Sequence, residues 1–451
     1  MIYDSSFDQI KNQLSKIPLS RPVGRVSQVK AGTVRLTGLD SHARIGDQIA
    51  IHRADKHKLI GEVIQLSKDA LTMLPDGSLD GIALGDRAVV GDPASIYPTT
   101  SWIGRIVDPN GAPIDGKPLQ NGVATRSLRA KPPRAAERRG LGARMETHTA
   151  VFDTFLPLAT GQRLGLFAGS GVGKSSLIGQ FAKNVEAYVV VIAMIGERGR
   201  EVRNFVDDVL GKKGLARSIV IAATSDQSAL LRRRCAWTAM AVAEYFRDEG
   251  KSVLLLADSI TRFAEAHREI AVAAGEAPVP RGHPPSSSSE IMALCERAGP
   301  GAGSMGDITA VFSVLVAGSD MDEPIADILR GVLDGHVVLD RSIAERGRYP
   351  AVDLLRSISR SLPAVASKDE NELLLSVRKI LGLYDRNKMM ISAGLYSHGT
   401  DPKIDHAIKV WPQLDNFLTQ TKTGSIQDSY DKLSLFLRRN TIQKPVHPSQ
   451  R

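Results

Sequence analysis

The sequence predicts an α/β protein with a small antiparallel β-barrel before its core and a helical domain after it. Three observations carry this. Short apolar runs separated by turn signals fill residues 22–92, the spacing of a small all-β unit. From about residue 150, buried strand-like runs alternate with helical patterns, the mark of a mostly parallel sheet covered on both faces. After about residue 365 the strand signals vanish and helical periodicity takes over. At 451 residues the chain is too long for one core. The expected division is a leading segment 1–21, a barrel 22–92, an α/β domain 93–365 and a helical domain 366–451.

Within the leading segment, Ile2, Phe7, Ile10, Leu14 and Ile17 recur at near-helical spacing and predict a short amphipathic helix. It is either a docking helix for a partner or a frayed end; spacing does not choose. The barrel strands are expected at 23–29, 33–36, 48–51, 61–66, 71–74 and 87–90, divided by turns such as Ala31-Gly32 and Pro75-Asp76-Gly77. Core strands are expected at 163–167, 188–195, 218–223, 252–257 and 308–316, with a helix over 229–247. The helical domain is expected to include helices at 371–384 and 404–418.

Composition narrows the class. Hydrophobic residues at 42% and charged residues at 24% describe a globular chain rather than a disordered one. No apolar run approaches the roughly 20 residues that span a bilayer. The start, Met1-Ile2-Tyr3-Asp4, lacks the basic then apolar pattern of a signal peptide. These features predict a cytoplasmic protein, with Cys235 and Cys295 as reduced core thiols. A net charge of +9 invites an acidic partner. Much of it sits in Arg126, Arg129, Lys131, Arg134, Arg138, Arg139 and Arg144, a stretch broken by Pro132-Pro133 that reads first as a solvated linker. Few aromatics interleave with them, so no stacking platform for nucleic acid is indicated.

The chemistry centres on Ala168-Gly169-Ser170-Gly171-Val172-Gly173-Lys174-Ser175, which follows an apolar strand and runs through Ser176 into a helix. Glycines let the backbone curl so that its N–H groups face phosphates, and the helix start adds positive partial charge. Lys174 is placed to bridge the outer phosphates of ATP and Ser175 to hold Mg²⁺. Ala168 replaces the first glycine of the pattern, which a strand conformation there would permit. Asp258 closes the run Val253-Leu254-Leu255-Leu256-Ala257. Alone it could be the first residue of a turn, but with the phosphate loop upstream it is expected at the ligand edge of the sheet as a second Mg²⁺ residue. Glu197 follows another buried strand. It suits orientation of an attacking water, and equally a helix-start acid beside Glu201.

In this order the elements resemble the catalytic subunits of the rotary ATPase superfamily. The likeness takes in Gly161-Gln162-Arg163-Leu164-Gly165-Leu166-Phe167, the stretch 196–201, Asp258-Ser259-Ile260-Thr261-Arg262-Phe263 and Ala344-Glu345-Arg346-Gly347-Arg348-Tyr349-Pro350. Residues 318–327 and 333–339 are similar to the type III export ATPases, and 401–418 with Trp411-Pro412-Gln413 to the flagellar export ATPase. The resemblance implies a RecA-like P-loop NTPase core and favours Glu197 as catalytic base. It implies Arg198 and Arg262 near the carboxylate and phosphates, and Tyr349 against adenine, where the residues alone allow a core tyrosine. It further implies Arg360 as an arginine finger reaching a neighbour's site; spacing alone would leave a surface arginine.

The same likeness implies a homohexamer that hydrolyses ATP to energise flagellar protein export. Its implied partners are a stator-like regulator at the N-terminal helix, a central-stalk protein, the export gate, and export substrates with their chaperones. Peripheral association with the inner face of the cytoplasmic membrane is implied as well. The sequence departs from the family at 147–153, at Asp307 where serine is common, and at Ser286–Ser289, which read as a mobile loop around the central pore. Rival readings are an injectisome secretion ATPase, a rotary synthase subunit, an RNA translocase and a silent ring subunit. A synthase would carry an acidic Asp-Glu-Leu-rich loop in its C-terminal domain, and none is found. Residues 22–92 contain no Phe, Tyr or Trp for RNA stacking, and a silent subunit would lack Glu197.

Overall fold

Alternating inward and outward side chains close the N-terminal region on itself. The structure, a computed structural model, describes residues 20–277, 282–316 and 321–440. The expected helix over residues 1–17 and positions 318–320 of the export-ATPase motif lie outside the described residues. β1 (Val23–Lys30), β2 (Thr33–Thr37), β3 (Gln48–His52), β4 (Lys58–Leu66), β5 (Leu71–Pro75) and β6 (Arg87–Val90) form a closed barrel in the order β1-β2-β5-β4-β3-β6. Antiparallel pairing of Val23 with Val89 seals the ring. Val26, Val34, Leu36, Ile49, Ile51, Val63 and Met73 fill its interior, and closure leaves no edge to aggregate.

The second region is an eight-stranded sheet. Its strands are β7 (Ile106–Val107), β8 (Arg163–Ala168), β9 (Val189–Glu197), β10 (Ser218–Thr224), β11 (Val253–Asp258), β12 (Ile308–Leu315), β13 (Gly335–Leu339) and β14 (Val352–Ser359). They lie in the order β14-β13-β8-β12-β11-β9-β10-β7, all parallel except β14, which runs antiparallel to β13. The first eight residues of β9 are all buried, as expected for a strand covered on both faces. Helices α1 (Lys174–Asn184), α2 (Ala229–Asp248), α3 (Ile260–Ala273), α4 (Ser286–Glu296) and α5 (Pro324–Val332) punctuate the strands. Contacts divide the chain into two units: residues up to Ser95 with Gln227–Leu231 and Ala266–Pro284, and the remainder.

Three helices complete the second unit: α6 (Lys368–Ser392), α7 (Pro402–Leu418) and α8 (Ile426–Arg439). α6 opens on a capping box made by Ser367 and Glu370, and α8 on one made by Ser425 and Asp428. Leu374, Val377, Leu414, Phe417 and Leu433 bury one face of these helices in the core that holds the central sheet.

Two expectations change. Ser286–Ser289 open α4 instead of a mobile loop, since Pro284-Pro285 precede a run whose Ile291, Leu294 and Cys295 have a core to bury in. The basic stretch is a fastened strap. Arg126 pairs with Asp248 at 2.7 Å, Arg129 with Glu290 at 3.4 Å and Arg134 with Glu137 at 3.7 Å. Arg138 pairs with Glu296 at 3.7 Å, Arg139 with Asp307 at 2.6 Å and Arg144 with Glu370 at 3.0 Å. The chain's own carboxylates answer this charge, and Asp307 finds its purpose in holding Arg139. Both cysteines are buried and free. No helix among the described residues is long and apolar enough to cross a membrane.

Candidate active site

Three parallel strand ends build the site. β8 ends at Ala168, fully buried and in register with Leu315 and Leu339. A residue held in a strand has no need of glycine's freedom, which is why alanine can stand there. The chain then turns through Gly169, Ser170, Gly171, Val172 and Gly173 into α1, which starts at Lys174. Gly171 and Gly173 have φ of 78° and 88°, the left-handed region that side chains resist. At Gly173 space is short as well: a Cβ would sit 3.1 Å from the Tyr349 ring. Val172 is buried and anchors the loop, while Ser175 and Ser176 are exposed in the first turn.

β9 brings Glu197. Its register with β10 slips between Ile195 and Glu197, and Gly196 takes φ 68°. Such a bulge re-aims the following side chain, and Glu197 lines the cleft with Lys174. β11 ends on Asp258, 4% exposed. Lys174 Nζ contacts Asp258 Oδ1 directly and lies 3.9 Å from Glu197 Oε1. Ser313 Oγ donates to the same Asp258 oxygen at 2.7 Å. The cleft holds about 630 Å³ and is bordered by the loop, Glu197, Glu201, Arg198, Arg232 and Arg262.

Burial is the main reason the Glu197 carboxyl holds its proton up to about 7. A hydrogen bond with Glu201 and the charge of Asp258 add to this, and Lys174 opposes it. Glu201 moves below the usual carboxylate range as the other partner of that bond, aided by Arg198 and Arg200. The two glutamates thus share one proton near neutrality, with Glu197 the more reluctant to ionise.

Not every expected residue converges. Arg262 borders the cleft and pairs with Glu265 at 2.8 Å. Arg198 borders it too, but its side chain is 79% exposed and 3.5 Å from Glu201. Tyr349 is 49% exposed with its ring against Gly173, so it is no core tyrosine. Arg360 lies elsewhere. It follows β14, whose Ser359 pairs with Gly335 at the start of β13, whereas the phosphate loop leaves the sheet beside Leu339. Four strand rises, roughly 13 Å, separate those positions. Arg360 is exposed and donates to the Arg330 carbonyl at 3.2 Å, so its own loop is out of reach. Arg232 was not anticipated as a cleft residue; in a run Arg232-Arg233-Arg234 it reads as a solvated helix face.

Residues 149–359 match the ATP synthase alpha/beta family nucleotide-binding domain, and 366–434 the T3SS EscN ATPase C-terminal domain. The flagellum-specific ATP synthase of Caulobacter vibrioides is 41% identical, over 92% of this chain and 96% of that protein. The chain belongs to the flagellum-specific ATP synthase family. It is a P-loop ATPase, as its phosphate loop indicates. Among solved structures, the assembled EscN ATPase of the enteropathogenic E. coli type III secretion system superposes with a TM-score of 0.85 at 34% identity. It covers 92% of this chain and 100% of that one. EscN in complex with its central stalk EscO gives 0.83 at 35%, with the same coverage.

Proposed function

We propose that this chain hydrolyses ATP to energise flagellar type III protein export, in a ring whose sites lie between subunits. The observation that carries the reading is the convergence of Lys174, Asp258 and Glu197 at three strand ends beside a glycine-shaped loop. Lys174 rests on Asp258 and turns to the outer phosphates when ATP binds. Glu197, once ionised, orients and deprotonates the attacking water. Arg262 and Arg198 border the phosphates, and Tyr349 offers its exposed ring to adenine. The Ser175 hydroxyl and the Asp258 carboxylate are hard oxygen donors that suit Mg²⁺, which is typically held by one or two protein oxygens and the phosphates. When bound, that ion neutralises phosphate charge.

Arg360 is the finger offered to the neighbour, a role favoured by its distance from its own loop. The ring is a homohexamer at the export gate, with a stator-like regulator at residues 1–17, a central-stalk protein, and chaperone–substrate complexes as partners. The assembled EscN ATPase is found in complex with its central stalk EscO, which supports an oligomer and a stalk partner. The chain works at the inner face of the cytoplasmic membrane and takes no nucleic acid. The division into 22–92, 93–365 and 366–451 is supported by the barrel, the sheet and the three terminal helices. Lys174→Ala tests the site: steady-state hydrolysis should be lost, and near-normal turnover would remove the assignment.

A further inference from the structure

Arg348 immediately precedes Tyr349, and the two side chains take opposite courses. Tyr349 is half exposed against the phosphate loop, while Arg348 is 6% exposed and turned inward. There its Nη2 donates to the Val352 carbonyl at 2.6 Å. Its Nε lies 3.3 Å from Asp415 on α7. Nε, Nη1 and the facing Asp415 Oδ1 are otherwise buried without a hydrogen-bond partner. A cavity of about 120 Å³ adjoins Arg348, lined also by Asp353, Tyr384 and Trp411, the last two stacked 4.7 Å apart. Burial, more than any neighbour, pulls the Arg348 guanidinium below its usual range. A guanidinium so buried and so thinly bonded is costly unless its carboxylate partner stays in place.

We infer that the Arg348–Asp415 pair is a positioning device for nucleotide recognition, clamping the turn that carries Tyr349 to helix α7. The Val352 carbonyl and the Asp415 carboxylate each hold the Arg348 guanidinium, so the neighbouring ring stays against Gly173. Both residues act through Tyr349 and touch no substrate. The inference rests on the reading that Tyr349 meets adenine.

The test is a double-mutant cycle on the full chain, with steady-state KM and kcat for ATP measured at a protein concentration where activity per subunit is constant. Asp415→Asn should raise KM by about fivefold, with the effect on KM rather than kcat. Tyr349→Ala should raise KM as well, and the double variant no further, because both remove the same contact. Should Asp415→Asn fail to fold around its unpaired arginine, Arg348→Met removes the buried charge at similar length and should show the same KM effect. If Tyr349→Ala raises KM while Asp415→Asn and Arg348→Met do not, or if the effects multiply, the clamp is overturned and the base contact stands. If Tyr349→Ala leaves KM unchanged, the base contact itself is overturned, and the clamp with it.

Discussion

The proton held by Glu197 should make hydrolysis depend on pH in a range where an ordinary glutamate would show nothing. In the proposed mechanism only the ionised Glu197 carboxylate accepts a proton from water, so activity should follow the ionised fraction and rise with pH. With its proton held up to about 7, that fraction is about one in eleven at pH 6 and about ten in eleven at pH 8, a tenfold rise. A carboxyl at the usual value of about 4.3 would already be ionised at pH 6, and the same interval would change the rate negligibly. The assay is kcat/KM for ATP from pH 5.5 to 8.5, the quantity that reports ionisations of the free enzyme. Glu201→Gln removes the acidic partner of the shared proton, so the midpoint should shift while the sign of the slope stays. A flat wild-type profile between pH 6 and 8 would refute the environment described for Glu197, as would a slope that survives undiminished in the residual activity of Glu197→Gln.

Other outcomes follow from the same contacts. Glu197→Gln should bind ATP with near wild-type affinity while turnover collapses; loss of binding with normal turnover per bound ATP would make Glu197 structural. Gly179→Ala places a Cβ inside van der Waals contact of Val209, and should lower stability by roughly 1–3 kcal/mol in denaturant unfolding. Glu244→Ala strips the buried Arg297 of a two-bond partner at 2.6 and 2.9 Å; a loss of about 3–5 kcal/mol is expected, and an unchanged midpoint would count against it.

The barrel and most of the parallel sheet were legible because period-two alternation and long apolar runs are local signals. β13 and β14 were not read as strands. β13 is short and carries His336, and β14 mixes buried and exposed residues, so neither shows a clean period. α8 was also missed, although Ser425 and Asp428 form its cap. Lys174, Asp258 and Glu197 could be placed because strand ends and glycine spacing are linear features. The reluctance of Glu197 to ionise could not, since it comes first from burial, which tertiary packing sets, and then from Glu201 and Asp258 acting through space. The basic strap misled for the same reason: its acidic partners lie up to 226 positions away.

The central claim is that each phosphate loop works with an arginine from another copy of the chain, and subunit mixing tests it most directly. Arg360→Ala and Lys174→Ala should each be nearly inactive alone, the first still binding ATP, because a finger is worth roughly 10³-fold or more in rate. Mixed under assembly conditions, some interfaces would pair an intact Lys174 with an intact Arg360, and part of the activity should return. Wild-type activity per subunit should also rise with protein concentration as such interfaces form. No recovery from mixing, with full wild-type activity in a monomer confirmed by light scattering, would contradict the shared site.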